Sequence, residues 1–148
     1  MALTAPPRST TLIALPTGSG KSLCFQILSR FGSGLTVVVV PTVALAIDQW
    51  QSALSVLGNI PGLSPIYFAA SDPDLSPETV IDHIKGGTTR LVFTSPEACV
   101  SGRLRVVLEE AAQQGRLENL VIDEAHMIEA WGIYFRVDFQ MLSMLRKK

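Results

Sequence analysis

The feature that most constrains this chain is a short segment of small residues, 15–22, which separates an apolar run from a helix-like stretch. Its letters are LPTGSGKS, and they fit the pattern G-x-x-x-x-G-K-[ST] except that Leu15 occupies the first glycine position. Gly18 and Gly20 allow successive backbone N–H groups to turn inward, and the start of the following helix adds the positive end of its dipole. The segment is therefore predicted to cradle the phosphates of a nucleotide.

Two side chains of this loop have predicted chemical roles. Lys21 would reach the β- and γ-phosphates of ATP, and the Ser22 hydroxyl would ligate Mg²⁺. The alternative is a glycine-rich turn that happens to precede a lysine. The predicted phosphate-binding residues are Pro16, Thr17, Gly18, Ser19, Gly20, Lys21 and Ser22.

Short apolar runs alternate with longer helix-like stretches along the chain. Strands are predicted over residues 11–15, 35–40, 66–69, 91–94 and 120–122, and helices over residues 21–30, 43–57, 77–84 and 103–114. Residues 72–77 are predicted to form a turn-rich loop. Alternation of this kind is typical of βαβ crossovers, which place parallel strands in one sheet with helices on both faces. The predicted fold class is α/β, with one domain spanning residues 1–148.

The composition is compatible with such a core and argues against other classes of protein. The 148 residues are 47% hydrophobic and 17% charged, unlike an intrinsically disordered chain. No apolar run approaches the ~20 residues that a membrane-spanning helix needs, and no secretory signal is evident, so a cytoplasmic setting is expected. A net charge of −1 argues against nucleic-acid binding by bulk positive charge, although a local groove is compatible with it. Cys24 and Cys99 are expected to be small buried hydrophobes.

Two carboxylates, Asp123 and Glu124, directly follow the last predicted strand. Ligands of an open parallel sheet bind beyond the carboxyl ends of its strands, the edge where the phosphate loop also lies. Asp123 is predicted to hold Mg²⁺ through its water shell, and Glu124 to orient or deprotonate the attacking water. Alternatively, both carboxylates cap the following helix, but the phosphate loop upstream favours catalysis. A lone histidine such as His126 is more often a packing or surface residue.

Residues 16–22 and 123–126 together resemble motifs I and II of superfamily 2 helicases in their DEAH form, a family that accepts a residue other than glycine at position 15. Within it, residues 21–26, 40–45 with 48–49, and 94–97 are most similar to RecQ-type DNA helicases. The resemblance implies a P-loop NTPase of RecA-like fold, the first of two motor lobes, with ATP and Mg²⁺ as cofactors. It also implies that single-stranded DNA crosses the strand-end surface near Thr42, Ser95 and Pro96.

The stretch after the second motif carries further residues with a predicted nucleic-acid contact. Trp131, Phe135 and Arg136 resemble the aromatic-rich loop by which RecQ enzymes couple single-stranded DNA to ATP hydrolysis. Aromatic faces stack on bases, and arginine meets phosphate or stacks in turn. Positions 133, 134 and 137 depart from the family pattern. The alternative is that Trp131 and Phe135 are core residues of a short amphipathic segment.

The sequence thus predicts the ATP-binding motor lobe of an ATP-dependent DNA helicase or translocase. The chain is expected to stop before motif III and to lack the second lobe, whose arginine fingers contribute ~10³–10⁵ in rate. Residues 1–148 alone are therefore expected to bind nucleotide with weak or no turnover. Two alternatives stay open, a nucleotide-gated module that contacts a protein partner and a helicase-like component of a defence system. The presence of Lys21, Ser22, Asp123 and Glu124 argues against a purely structural lobe.

Overall fold

The computed structural model describes residues 9–16, 18–69 and 76–126. Helices and strands alternate along them, as the sequence predicts, and the α/β class is confirmed. The described elements are α1 Lys21–Phe31, β1 Leu35–Val39, α2 Val43–Leu57, β2 Ile66–Phe68, α3 Pro77–Gly86, β3 Leu91–Thr94, α4 Pro96–Val100, α5 Gly102–Gln113 and β4 Leu117–Ile122.

The described strands form one parallel sheet in the order β2-β3-β1-β4. Within β1, Val38 pairs with Phe93 of β3 on one side and with Val121 of β4 on the other. Every residue of β1 is buried, as expected for a parallel strand covered on both faces. Because the strands run in the same direction, their carboxyl ends meet at one edge of the sheet.

Helices cover both faces of the sheet. Side chains of a strand alternate between faces, so Val37 and Val39 pack with the cluster of α3, α4 and α5. Val38 points to the other face and packs with residues of α1 and α2, including Phe25. The Phe25 ring meets the Phe93 ring edge to face, with centroids 5.7 Å apart. This contact fixes α1, and with it the phosphate loop that leads into α1, against the sheet.

The strand predicted over residues 11–15 is wrong. In the structure this segment has no regular secondary structure, and Leu12, Ile13 and Leu15 are 86%, 41% and 41% exposed. A strand exists only where a neighbouring strand accepts its backbone hydrogen bonds. Both sides of β1 are taken by β3 and β4, and no strand in the described part of the chain pairs with this segment. The apolar pattern of residues 11–15 is compatible with a strand. Whether a neighbouring strand is available to pair with it depends on the whole fold, which the local pattern does not reveal.

Smaller differences from the predictions concern one short helix and one of the two cysteines. Helix α4 was not predicted, although Ser95 caps it and Pro96 occupies its first turn. Residues 72–75, most of the turn-rich loop predicted over residues 72–77, lie outside the described residues. Cys99 is buried as expected, whereas Cys24 is only partly buried. Within the described ranges, no helix is both long enough and apolar enough to cross a membrane.

Candidate active site

The phosphate loop depends on two glycines in a left-handed backbone conformation. Gly18 has φ +81° and Gly20 has φ +79°, a region that costs an L-residue with a side chain roughly 1–2 kcal/mol. A Cβ at either position would meet no atom within 4 Å, so backbone conformation, and not space, requires glycine there. Between them, the Ser19 N–H donates to the Pro16 carbonyl at 3.2 Å and closes a turn. Helix α1 then begins at Lys21.

The start of α1, like that of α5, has no side-chain cap and so differs from the starts of α2, α3 and α4. Those three helices are capped by the side chains of Thr42, Ser76 and Ser95. Gly20 offers α1 no side-chain cap, and the first turn of α1 contains no acidic residue. The N–H groups and the positive dipole end of α1 are therefore available to an anion supplied from outside the helix. Thr17, the remaining predicted loop residue, lies outside the described residues.

The acidic end of β4 is held in place by backbone hydrogen bonds. The Asp123 N–H donates to the Val39 carbonyl at 2.9 Å, which extends the pairing of β4 with β1 by one bond. The Glu124 N–H donates to Asp123 Oδ1 at 3.0 Å. Glu124 itself has φ +50°, an uncommon conformation for a residue other than glycine. The chain therefore turns sharply where the predicted catalytic carboxylates stand.

The structure brings the phosphate loop and the acidic strand end together. Lys21 Nζ lies 3.5 Å from Glu124 Oε1, although 103 positions separate the two residues. Both side chains are partly buried, at 29% and 30% exposure, so their attraction is less screened than that of a surface pair. His126 Nδ1 lies 3.2 Å from the other carboxylate oxygen of Glu124. His126, to which the sequence assigns only packing or exposure, therefore contacts a predicted catalytic group.

A second contact joins the loop to α2. The Ser22 hydroxyl donates to Gln49 Oε1 at 2.8 Å. The sequence predicts no chemical role for Gln49, which belongs to a stretch that resembles RecQ-type helicases. The two residues are 27 positions apart on different helices, so no local pattern indicates that they meet.

The donor set suits Mg²⁺. In the ranges that the structure describes, no group of three or more His, Cys, Asp or Glu side chains could hold a metal ion by itself. Mg²⁺ does not require such a group, since it keeps several waters and binds one or two carboxylates together with substrate phosphates. Ser22 and Asp123 would supply one neutral and one charged oxygen ligand. The residues therefore fit the ion, and their roles as its ligands stay a prediction.

The predicted nucleic-acid contacts divide into two groups. Thr42 follows β1, and Ser95 and Pro96 follow β3, so all three lie at the strand-end edge that also carries Asp123. Thr42 is exposed, whereas Pro96 is buried in the first turn of α4. The remaining members, Trp131, Phe135 and Arg136, lie outside the described residues.

Residues 2–148 match the family model described as DEAD/DEAH box helicase. The chain is 36% identical over 140 residues to the ATP-dependent DNA helicase RecQ of Synechocystis sp., covering 95% of this chain and 28% of that protein. It is 37% identical over 141 residues to the RecQ-like DNA helicase blm-1 of Caenorhabditis elegans (93% and 14%). Over 139 residues it is 34% identical to the RecQ-like DNA helicase BLM of Xenopus laevis (92% and 10%). The chain therefore spans less than a third of the length of these relatives.

Proposed function

This chain belongs to the DEAD/DEAH box helicase family, and we propose that it is the ATP-binding motor lobe of a RecQ-like, ATP-dependent DNA helicase or translocase. The observation that carries this proposal is the 3.5 Å contact between Lys21 and Glu124. It unites a phosphate-binding loop and a candidate base in one site at the strand ends. The relatives are named DNA helicases; DNA as partner, a second lobe and a cytoplasmic setting are parts of the proposal.

Nucleotide binding begins at the loop and the uncapped start of α1. The backbone N–H groups around Gly18 and Gly20 receive phosphate oxygens, and the α1 dipole favours their negative charge. Lys21 exchanges its carboxylate partner for the β- and γ-phosphates, which carry more negative charge. That exchange releases Glu124 from the lysine, so that the carboxylate is free to accept a hydrogen bond from the attacking water.

Hydrolysis then depends on positioned charges. Mg²⁺, when bound, would supply positive charge that neutralises the negative charge developing on the phosphates. Ser22 and Asp123 would hold the ion, while Glu124 would orient the attacking water and take its proton. Arginines of a second lobe complete the site and contribute ~10³–10⁵ in rate. The lobe alone is therefore expected to bind nucleotide with weak or no ATP turnover.

Single-stranded DNA crosses the same edge of the sheet. Thr42 and Ser95 lie at this edge, and Trp131, Phe135 and Arg136 are proposed to extend the contact by stacking and by meeting a phosphate. Because Thr42, Ser95 and Asp123 follow β1, β3 and β4 at the same edge of the sheet, DNA bound there could change the position of the hydrolytic groups. This supports coupling between DNA and ATP turnover.

The test measures binding of a fluorescent ATP analogue in the presence of Mg²⁺. We expect Lys21→Ala to weaken binding about 10- to 100-fold, because a hydrogen bond to a charged group contributes ~1.5–3 kcal/mol. Lys85→Ala is the matched control, since Lys85 is exposed in the last turn of α3. Equal affinity of Lys21→Ala and wild type would contradict the proposal. Turnover by the full-length protein that single-stranded DNA leaves unchanged would favour the nucleotide-gated module instead.

A further inference from the structure

We propose that Gln49 is a positioning residue, which orients the Ser22 hydroxyl so that its oxygen can ligate Mg²⁺. The inference rests on the proposed function, because it concerns the metal that accompanies ATP. Its basis is the 2.8 Å hydrogen bond in which Ser22 Oγ donates to Gln49 Oε1. This bond joins Ser22, the candidate Mg²⁺ ligand in α1, to Gln49 in the middle of α2.

The chemistry of a neutral hydroxyl explains the need for such a partner. A serine that binds a cation does so through an oxygen lone pair and keeps its proton. That proton must point away from the metal, and it needs an acceptor there. Gln49 Oε1 is an uncharged acceptor already in place, so the lone pairs of Ser22 are left for the ion. Groups that orient a metal ligand in this way typically contribute 10- to 100-fold in metal affinity or activity.

The packing of α2 explains why Gln49 can reach Ser22. Ala46 and Ala53 lie three positions before and four positions after Gln49, hence on the same face of the helix. Both alanines are fully buried against the sheet. Their small side chains let α2 lie close to its neighbours, and Gln49 between them is partly buried. The amide is therefore supported by the helix packing and is not a surface group that meets Ser22 by chance.

The bond has a second interpretation with the opposite consequence. Gln49 could occupy the Ser22 hydroxyl only until a metal displaces it, in which case its removal would leave Mg²⁺ affinity equal or tighter. A positioning role predicts weaker Mg²⁺ affinity. The sign of the change therefore distinguishes the two.

The experiment titrates Mg²⁺ against binding of a fluorescent ATP analogue by the protein. We expect Gln49→Leu, which removes the acceptor at similar size, to raise the half-saturating Mg²⁺ concentration ~10- to 100-fold. Affinity for the analogue in EDTA should match wild type. Gln49→Glu keeps an acceptor at the same place and should restore half-saturation to the wild-type concentration or below it. Gln51→Leu, an exposed position of the same helix, is the control.

Three results would overturn the role of Gln49. They are half-saturation of Gln49→Leu at or below the wild-type Mg²⁺ concentration, failure of Gln49→Glu to restore wild-type Mg²⁺ dependence, and an equal loss of nucleotide affinity with and without metal, which would indicate a merely structural role. If Gln49→Leu does not fold, Gln49→Asn, whose shorter amide falls short of Ser22, is measured in its place. Wild-type protein that binds no nucleotide would instead contradict the proposed function itself.

Discussion

Glu124 has two cationic or potentially cationic neighbours, Lys21 and His126, one at each carboxylate oxygen. We expect Glu124→Gln to retain nucleotide binding and to slow ATP turnover by the full-length protein ~10²–10⁴-fold, because the amide keeps the shape of the side chain and cannot take a proton. Turnover is measured in a single-turnover assay, with analogue binding as the parallel readout. Glu110→Gln, an exposed change on α5, is the control. Wild-type turnover in Glu124→Gln would exclude this carboxylate as the base.

Cys99 gives a prediction about stability and pH. Burial raises the pKa of the Cys99 thiol from 9.0 to about 12. Between pH 9 and about 12 the thiol is ionised in the unfolded protein and protonated in the folded one. The contribution of Cys99 to the free energy of unfolding is therefore fully present below pH 9 and is lost as the pH rises through this range. The slope reaches ~1.4 kcal/mol per pH unit. We expect the free energy of unfolding of Cys99→Ala, measured with urea, to fall less steeply over this range than that of wild type. Parallel slopes would contradict the assignment.

The two contacts that build the site show why sequence reasoning reaches only part of it. The residues themselves are predictable, because Lys21 and Glu124 stand at the positions their motifs require. Their approach to 3.5 Å is not, because it depends on β1 lying beside β4. The contact of Gln49 is harder to predict from the sequence, since glutamine is an ordinary residue inside a helix. Only the packing of α2 beside α1 gives it a partner.

At the scale of elements, most strands and helices follow from local patterns, and the exceptions have physical reasons. The β-branched run of β1 and the two glycines at the end of α3 give unambiguous signals. Residues 11–15 give an equally apolar signal, yet no strand in the described part of the chain pairs with them. Helix α4 has a serine cap and an early proline, but at five residues it is too short for periodicity to be detected.

Two adjacent glycines at the end of α3 provide a matched test of backbone conformation. Gly87 caps the helix with φ +66°, and we expect Gly87→Ala to lower the free energy of unfolding by ~1–2 kcal/mol. Gly86 lies within the helix, and a Cβ there would meet only Thr88 Cγ2, at 3.9 Å. Gly86→Ala is expected to raise the free energy of unfolding by ~0.4–1 kcal/mol. Urea denaturation measures both, and changes of the same sign would contradict the difference in conformation.

For the whole molecule, charge limits how DNA can be held. The chain carries a net charge of −1, so bulk attraction to phosphates would contribute little to the proposed DNA binding by these 148 residues, and their affinity would come from stacking and from a few placed cations. Among the predicted contacts, Trp131 supplies the largest stacking surface and Arg136 is the single cation. Removing each of the two side chains should therefore change the salt dependence of DNA affinity differently.

We expect Arg136→Ala to reduce the slope of log affinity against log salt by about 0.7, the contribution of one neutralised phosphate of a single strand. Trp131→Ala should weaken binding at every salt concentration, by ~1–3 kcal/mol, and leave the slope unchanged. Fluorescence anisotropy with labelled single-stranded DNA over a range of salt concentrations measures both. Arg103→Ala is the control, since Arg103 is exposed and pairs with Glu78 of α3. An unchanged slope in Arg136→Ala would remove Arg136 from the DNA contacts, because a cation that neutralises a phosphate cannot be lost without changing the salt dependence.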